Sequence, residues 1–261
     1  MSAVLDHTMV RVEDLEESLD WYRRHLGWER KDRWEADTFT NVYIGPEDAH
    51  EEAAMLELTY NHGDHTYESG DAWGHVALRV GDVYDAYERL VESGVEDYRD
   101  PDSCGGGYAF VTDPDGHEVE LIERDAGTDW SLDHTMVRVE SVNEAIGWYT
   151  RVLDYTLVER REHDTFALYF LKPSGTSEEA MSVELTYNYD DRSYEMGDAW
   201  GHLCIRADDL HDDWETYIER GAADYRDPDS CDDMFAFTKD PEGFEIEILD
   251  RDADADSLFP V

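Results

Sequence analysis

The feature that most restricts how this chain can fold is a repetition at one fixed distance. LDHTMVRVE at 5–13 returns at 132–140, ELTYN at 57–61 returns at 184–188, GDAWGH at 70–75 returns at 197–202, and YRDPDSC at 98–104 returns at 225–231. Every pair lies 127 residues apart, so the two copies align without a gap. A constant offset of this kind marks a tandem duplication. Two domains are expected, 5–125 and 132–252, joined by a short linker around AGTDWS and followed by a polar tail, ADADSLFPV. Whatever one half folds into, the other must fold into as well.

Within a half the hydrophobic period changes in a set order. HTMVRV alternates like a strand. DLEESLDWYRRHLG then places Leu15, Leu19, Tyr22 and Leu26 at helical spacing and stops at Gly27, and the strand-like WERKDRW, TFTNVYIG and AMLELTYN follow. GHVALRV, the helical DVYDAYERLVESG, then EDYRD, GYAFVTD and HEVELIE repeat that order. The prediction is an α+β fold of four βαβββ units, forming cupped mixed sheets with helices packed outside.

Composition narrows the function. With 66 acidic and 21 basic residues the formal charge is -45, which opposes binding to nucleic acid. The acids are spread among 41% hydrophobic residues, enough to fold. Only three lysines (Lys31, Lys172, Lys239) occur, and this acid-rich, lysine-poor balance resembles proteins of extreme halophiles, in which concentrated counterions screen self-repulsion. The opening MSAVLDHTMV has no signal-peptide pattern and no apolar run reaches membrane-spanning length, so a cytoplasmic protein that spans no membrane is expected. Cys104, Cys204 and Cys231 are odd in number and lack CxxC spacing, which indicates neither a disulfide framework nor a zinc knuckle.

The duplication also serves as a filter for chemistry. Of eleven histidines, only His7 with His134 and His75 with His202 match under the 127-residue shift. Each stands near the start of its unit's first strand, and the unit's last strand carries a glutamate in an apolar pattern: Glu57, Glu120, Glu184 or Glu247. Strand alternation turns Glu120 away from Val119 and Leu121 and into the concave face. Two imidazoles and two carboxylates per cup suit a divalent transition metal in an open site.

HTMVRV, ELTYN, GHVALRV and DPDGHEVELIE resemble, in order and spacing, glyoxalase I (lactoylglutathione lyase) of the vicinal oxygen chelate superfamily, once per half. The resemblance implies metal-dependent isomerisation of the hemithioacetal of methylglyoxal, a 2-oxoaldehyde, and a low-molecular-weight thiol to an S-lactoyl thioester. It implies His7, Glu57, His75 and Glu120, with His134, Glu184, His202 and Glu247, as metal ligands, and two divalent metals per chain. Halves this short resemble the nickel- or cobalt-preferring members, so Ni2+ is favoured over Zn2+ or Mn2+. Glu120 and Glu247 are the first choice for the proton-transferring base, with Glu57 and Glu184 able to act from the opposite side. Arg11, Asn61, Arg138 and Asn188 match substrate-binding positions. In single-copy members each site lies between two subunits; a monomer mimicking that homodimer would build one site from His7, Glu57, His202 and Glu247, and the other from His75, Glu120, His134 and Glu184. The alternative is that each half keeps its own four ligands, as in superfamily members that pair adjacent units. No lysine or arginine stands between Pro101 and Asp113 or between Pro228 and Thr238, where members often hold a carboxylate of glutathione, so a different thiol is expected. Two alternatives stay open: an extradiol-type dioxygenase with a 2-His-1-carboxylate iron site, and a metal-free small-molecule-binding protein.

Overall fold

A computed structural model describes residues 3–125, 129–190 and 192–250. The linker around AGTDWS lies partly outside these residues and the tail ADADSLFPV wholly outside them. The first half runs β1 (Leu5–Arg11), α1 (Leu15–Leu26), β2 (Glu29–Glu35), β3 (Phe39–Gly45), β4 (Met55–Asn61), β5 (Trp73–Val80), α2 (Val83–Glu92), β6 (Tyr108–Thr112) and β7 (Glu118–Glu123). The second repeats this as β8 (Leu132–Arg138), α3 (Val142–Val152), β9 (Tyr155–Glu162), β10 (Phe166–Pro173), β11 (Ser182–Asn188), β12 (Trp200–Arg206), α4 (Leu210–Glu219), β13 (Phe235–Lys239) and β14 (Glu245–Leu249).

Local chemistry explains the helix limits. Asp14 caps α1 by accepting from the backbone N–H groups of Glu16 and Glu17, and Gly27 closes it in the left-handed conformation. The face carrying Leu15, Tyr22 and Leu26 is buried, as the helical spacing predicts, while Leu19 is only partly buried. Asp82 and Asp209 cap α2 and α4 in the same way.

One strand expected from sequence shrinks to a single bridge. EDYRD contributes only the pair Arg99↔Phe110, and its copy only Arg226↔Phe237. The ladder cannot continue because Pro101 has no N–H to donate and because the chain turns on itself there, Cys104 and Gly106 both donating to Pro101 O.

The strands form two seven-stranded sheets, each drawn from both halves. One has the order β13-β14-β12-β1-β4-β3-β2 and the other β6-β7-β5-β8-β11-β10-β9. The halves meet inside each sheet through antiparallel pairs, β1 with β12 and β5 with β8. Beside these joints β1–β4, β12–β14, β5–β7 and β8–β11 run parallel, with the helices packed against the sheets' outer faces.

GDAWGH forms the clasp between the halves. Asp71 and Ala72 donate to Glu195 O, while Asp198 and Ala199 donate to Glu68 O. A Cβ on Gly70 would come 2.3 Å from Glu195 O, and one on Gly197 2.3 Å from Glu68 O; both glycines also have positive φ. Trp73 and Trp200 stack beneath the clasp with ring centroids 6.3 Å apart. Gly70→Ala is therefore expected to destabilise the fold by about 2–4 kcal/mol through overlap with backbone and an unfavourable φ, read as a lowered thermal midpoint.

Candidate metal centres

Because β1 lies between β12 and β4 in its sheet, strand register gathers side chains from distant parts of the chain. Met9 of β1 lies opposite Glu57, His7 opposite Cys204, and Cys204 opposite Glu247. The result is a buried cluster of His7, Glu57, His202 and Glu247 whose donor atoms all lie within 4.8 Å of one another. The other sheet gathers His75, Glu120, His134 and Glu184 within the same limit. Each cluster takes a histidine and a glutamate from each half.

At the first centre His7 Nε2 lies 2.8 Å from Glu57 Oε2, 3.1 Å from Glu247 Oε2 and 3.1 Å from His202 Nε2, and His202 Nε2 lies 3.2 Å from Glu247 Oε2. At the second, His75 Nε2 and His134 Nε2 each lie 3.0 Å from Glu120 Oε2, with His134 Nε2 3.1 Å from Glu184 Oε2 and 3.2 Å from His75 Nε2. Adjacent ligands of an octahedral ion with bonds of about 2.1 Å sit roughly 3 Å apart. Glu57 Oε2 is buried and, despite its closeness to His7, forms no hydrogen bond. The donors of each set all face one another within 4.8 Å, an arrangement that fits a shared cation.

Electrostatics agrees. Burial would lower the His134 imidazole, but hydrogen bonds to Asp133, Glu120 and Glu184 outweigh it and hold the group well above its usual range. Burial would raise Glu120, yet hydrogen bonds from His134 and His75 draw it down to about 2. Glu57 and Glu247 are likewise lowered against their burial, by the charges of His7 and His202 respectively. Both centres call for positive charge, which a divalent ion supplies in place of protons.

The residues behind the histidines were not singled out from sequence. His7 Nδ1 lies 2.8 Å from Asp6 Oδ1 and His134 Nδ1 2.8 Å from Asp133 Oδ1, which orients each ring with Nε2 toward the centre. Arg206 holds Asp6 at 2.9 Å, and Arg124 grips Asp133 with two bonds. Asp6 and Asp133 match under the 127-residue shift, so the signal was present beside each HTM.

A cavity of ≈310 Å³ opens onto the first centre, and Arg11, Asn61, Glu57, His202 and Glu247 all line it. Arg11 is held in place by donating to Asp198 O, and Asn61 by donating to the Tyr67 hydroxyl. Asn188 likewise donates to Tyr194, and Arg138 to Asp71 O, but each lines a separate cleft that none of His75, Glu120, His134 and Glu184 lines. Among the unmatched histidines His117 is buried against Asp113, while the ring of His25 lies 2.7 Å from Ser93 Oγ.

The family model of the Glyoxalase/Bleomycin resistance protein/Dioxygenase superfamily matches the chain twice, over residues 4–121 and 131–248. The chain belongs to this superfamily. Its glyoxalase modules are similar over nearly their full extent to the lactoylglutathione lyase of Oryza sativa subsp. japonica, 30% identical over 94% of this chain and 88% of that protein. The lactoylglutathione lyase of Escherichia coli O157:H7 is 42% identical over 129 residues, covering 46% of this chain and 93% of that one, and so corresponds to a single half. Among solved structures, glyoxalase I from Zea mays superposes with a TM-score of 0.82 at 26% identity, covering 95% of this chain and 92% of the other. This superfamily chain thus has tandem glyoxalase modules and relatives that are lactoylglutathione lyases. Among the described residues no helix is long and apolar enough to cross a membrane.

Proposed function

We propose that the chain is a glyoxalase I type enzyme that isomerises the hemithioacetal of methylglyoxal and a low-molecular-weight thiol to an S-lactoyl thioester. The observation that carries this reading is the pair of buried two-histidine, two-glutamate centres, the first facing a cavity that also contains Arg11 and Asn61. A divalent metal held by each set supplies Lewis-acid stabilisation of the charge that develops on the substrate's vicinal oxygens. His7, Glu57, His202 and Glu247, and likewise His75, Glu120, His134 and Glu184, would hold that ion, and Ni2+ or Co2+ would suit the mixed nitrogen and oxygen set, with Zn2+ or Mn2+ as weaker candidates.

The remaining chemistry is proton transfer between adjacent carbons. Glu247 and Glu57 stand on two sides of the first centre, and Glu120 and Glu184 on two sides of the second. Glu247 or Glu120 removes the proton from the carbon bearing sulfur and returns it to its neighbour. Arg11 and Asn61, with Arg138 and Asn188, orient the thiol portion. The second carboxylate in each set argues against an iron dioxygenase, which uses one. Purified protein loaded with Ni2+ should form thioester from methylglyoxal and a thiol, followed by ultraviolet absorbance with glutathione and smaller thiols compared. No thioester with any thiol and any of the four metals would overturn the reading.

The acidic surface is proposed as an adaptation to concentrated salt. With a net charge of -45 the fold should lose more than about 10 °C in thermal midpoint between molar and millimolar KCl. A midpoint independent of salt would count against it.

A further inference from the structure

The 127-residue offset makes each centre the control for the other, and behind one glutamate they differ. Thr59 Oγ1 lies 2.8 Å from Glu57 Oε1 and 3.0 Å from Asn41 Oδ1. At the second centre Thr186 Oγ1 donates to Glu184 Oε1 at 2.9 Å, but Leu168 occupies the position of Asn41. The registers are the same, Asn41 pairing with Thr59 and Leu168 with Thr186 across neighbouring strands. Asn41 is buried and lines the cavity of the first centre.

A hydroxyl carries one proton, and Thr59 gives it to the carboxylate, the stronger acceptor. That proton cannot also serve Asn41 Oδ1, so the pair is satisfied only with the Asn41 amide turned end for end, its NH2 group donating to Thr59 Oγ1. Amide, hydroxyl and carboxylate form a directed chain, each bond polarising the next. Leu168 has no donor to offer, so the corresponding chain is one member shorter.

We infer that Asn41 is a positioning residue that holds Glu57 in its ligating pose more firmly than Glu184 is held, leaving Glu247 as the carboxylate free to leave the first centre and carry a proton. This rests on the proposed function for the proton-carrying role of Glu247, while the tethering concerns metal binding alone. The first centre should release metal more slowly than it would without Asn41, and its two glutamates should divide their work more sharply than Glu120 and Glu184 do.

The test uses full-length protein reduced to one centre. His75→Ala with His134→Ala leaves the first centre, and His7→Ala with His202→Ala leaves the second. Each is loaded with Co2+, and release to excess EDTA is followed by the cobalt absorption band. In the first background Asn41→Leu should speed release about tenfold, the lower end of what loss of an orienting partner costs. In the second, Leu168→Asn should slow release by a similar factor, a gain that damaged packing cannot produce and that stands even if Asn41→Leu folds poorly. Release unchanged by Leu168→Asn in folded protein overturns the inference. Protein that takes up no Co2+ overturns both the inference and the proposed metal chemistry. Normal metal release without thioester formation by the parent chain sinks only the proposed reaction and the role given to Glu247.

Discussion

Glu120→Gln combined with Glu247→Gln is expected to lower thioester formation by about 10² to 10⁴, the usual contribution of general base catalysis. Glutamine keeps the size of the side chain and an oxygen that can face the metal, but it cannot accept and return the proton. Both substitutions are needed because Glu120 and Glu247 belong to different centres. Glu247→Gln alone should leave whatever turnover the His75, Glu120, His134, Glu184 set supports. His25→Gln in the parent chain is the control, since this ring lies beside Ser93 Oγ and outside both clusters. The measurement is initial rate at saturating Ni2+. Full turnover in the double glutamate variant would remove the proton-transfer role from this pair.

The second expected result concerns how the centres are shared between the halves. His7 and His202 meet at one centre, with Nε2 atoms 3.1 Å apart, and His75 and His134 at the other, 3.2 Å apart. His7→Ala with His202→Ala should therefore abolish one centre and leave one metal per chain, with activity at the remaining centre. His7→Ala with His75→Ala has the same number of lost histidines but damages both centres, and should leave almost no tightly bound metal and almost no activity. Loss of one ligand from each set typically costs more than the 10- to 100-fold in affinity expected for a supporting residue. Metal per chain after gel filtration, measured beside turnover, separates the two variants. Two metals retained in the His7/His75 variant would rule out these ligand sets.

Much of the fold was legible because each unit's hydrophobic period changes where its backbone changes. The alternation in HTMVRV and the helical spacing of Leu15, Tyr22 and Leu26 both correspond to observed elements. EDYRD misled because strand propensity says nothing about whether a neighbouring edge is in reach, and the Pro101 turn leaves only one residue paired. The histidines and glutamates of the centres stood out because they are the same in both copies. That filter has a blind spot. Asn41 faces Leu168 in the alignment, so a search for sameness passes over a residue by which the two centres differ.

What the sequence determined by itself was the composition of each centre: the kinds of donor, their number, and their places at the starts of first strands and within last strands. These follow from local rules, since side-chain direction depends on strand alternation and helix limits on caps such as Asp14 and Gly27. Which donors share a centre does not follow from those local rules: the family resemblance implied the exchanged sets, and the tertiary structure is what brings them together. That choice depends on β1 pairing with β12 and β5 with β8, and these ladders are built from backbone N–H and C=O groups that every residue carries alike. The deciding contacts are instead long-range ones, the clasp in which Gly70 and Gly197 let two backbones touch and the stack of Trp73 on Trp200. Together they place one half's histidine and glutamate beside the other's.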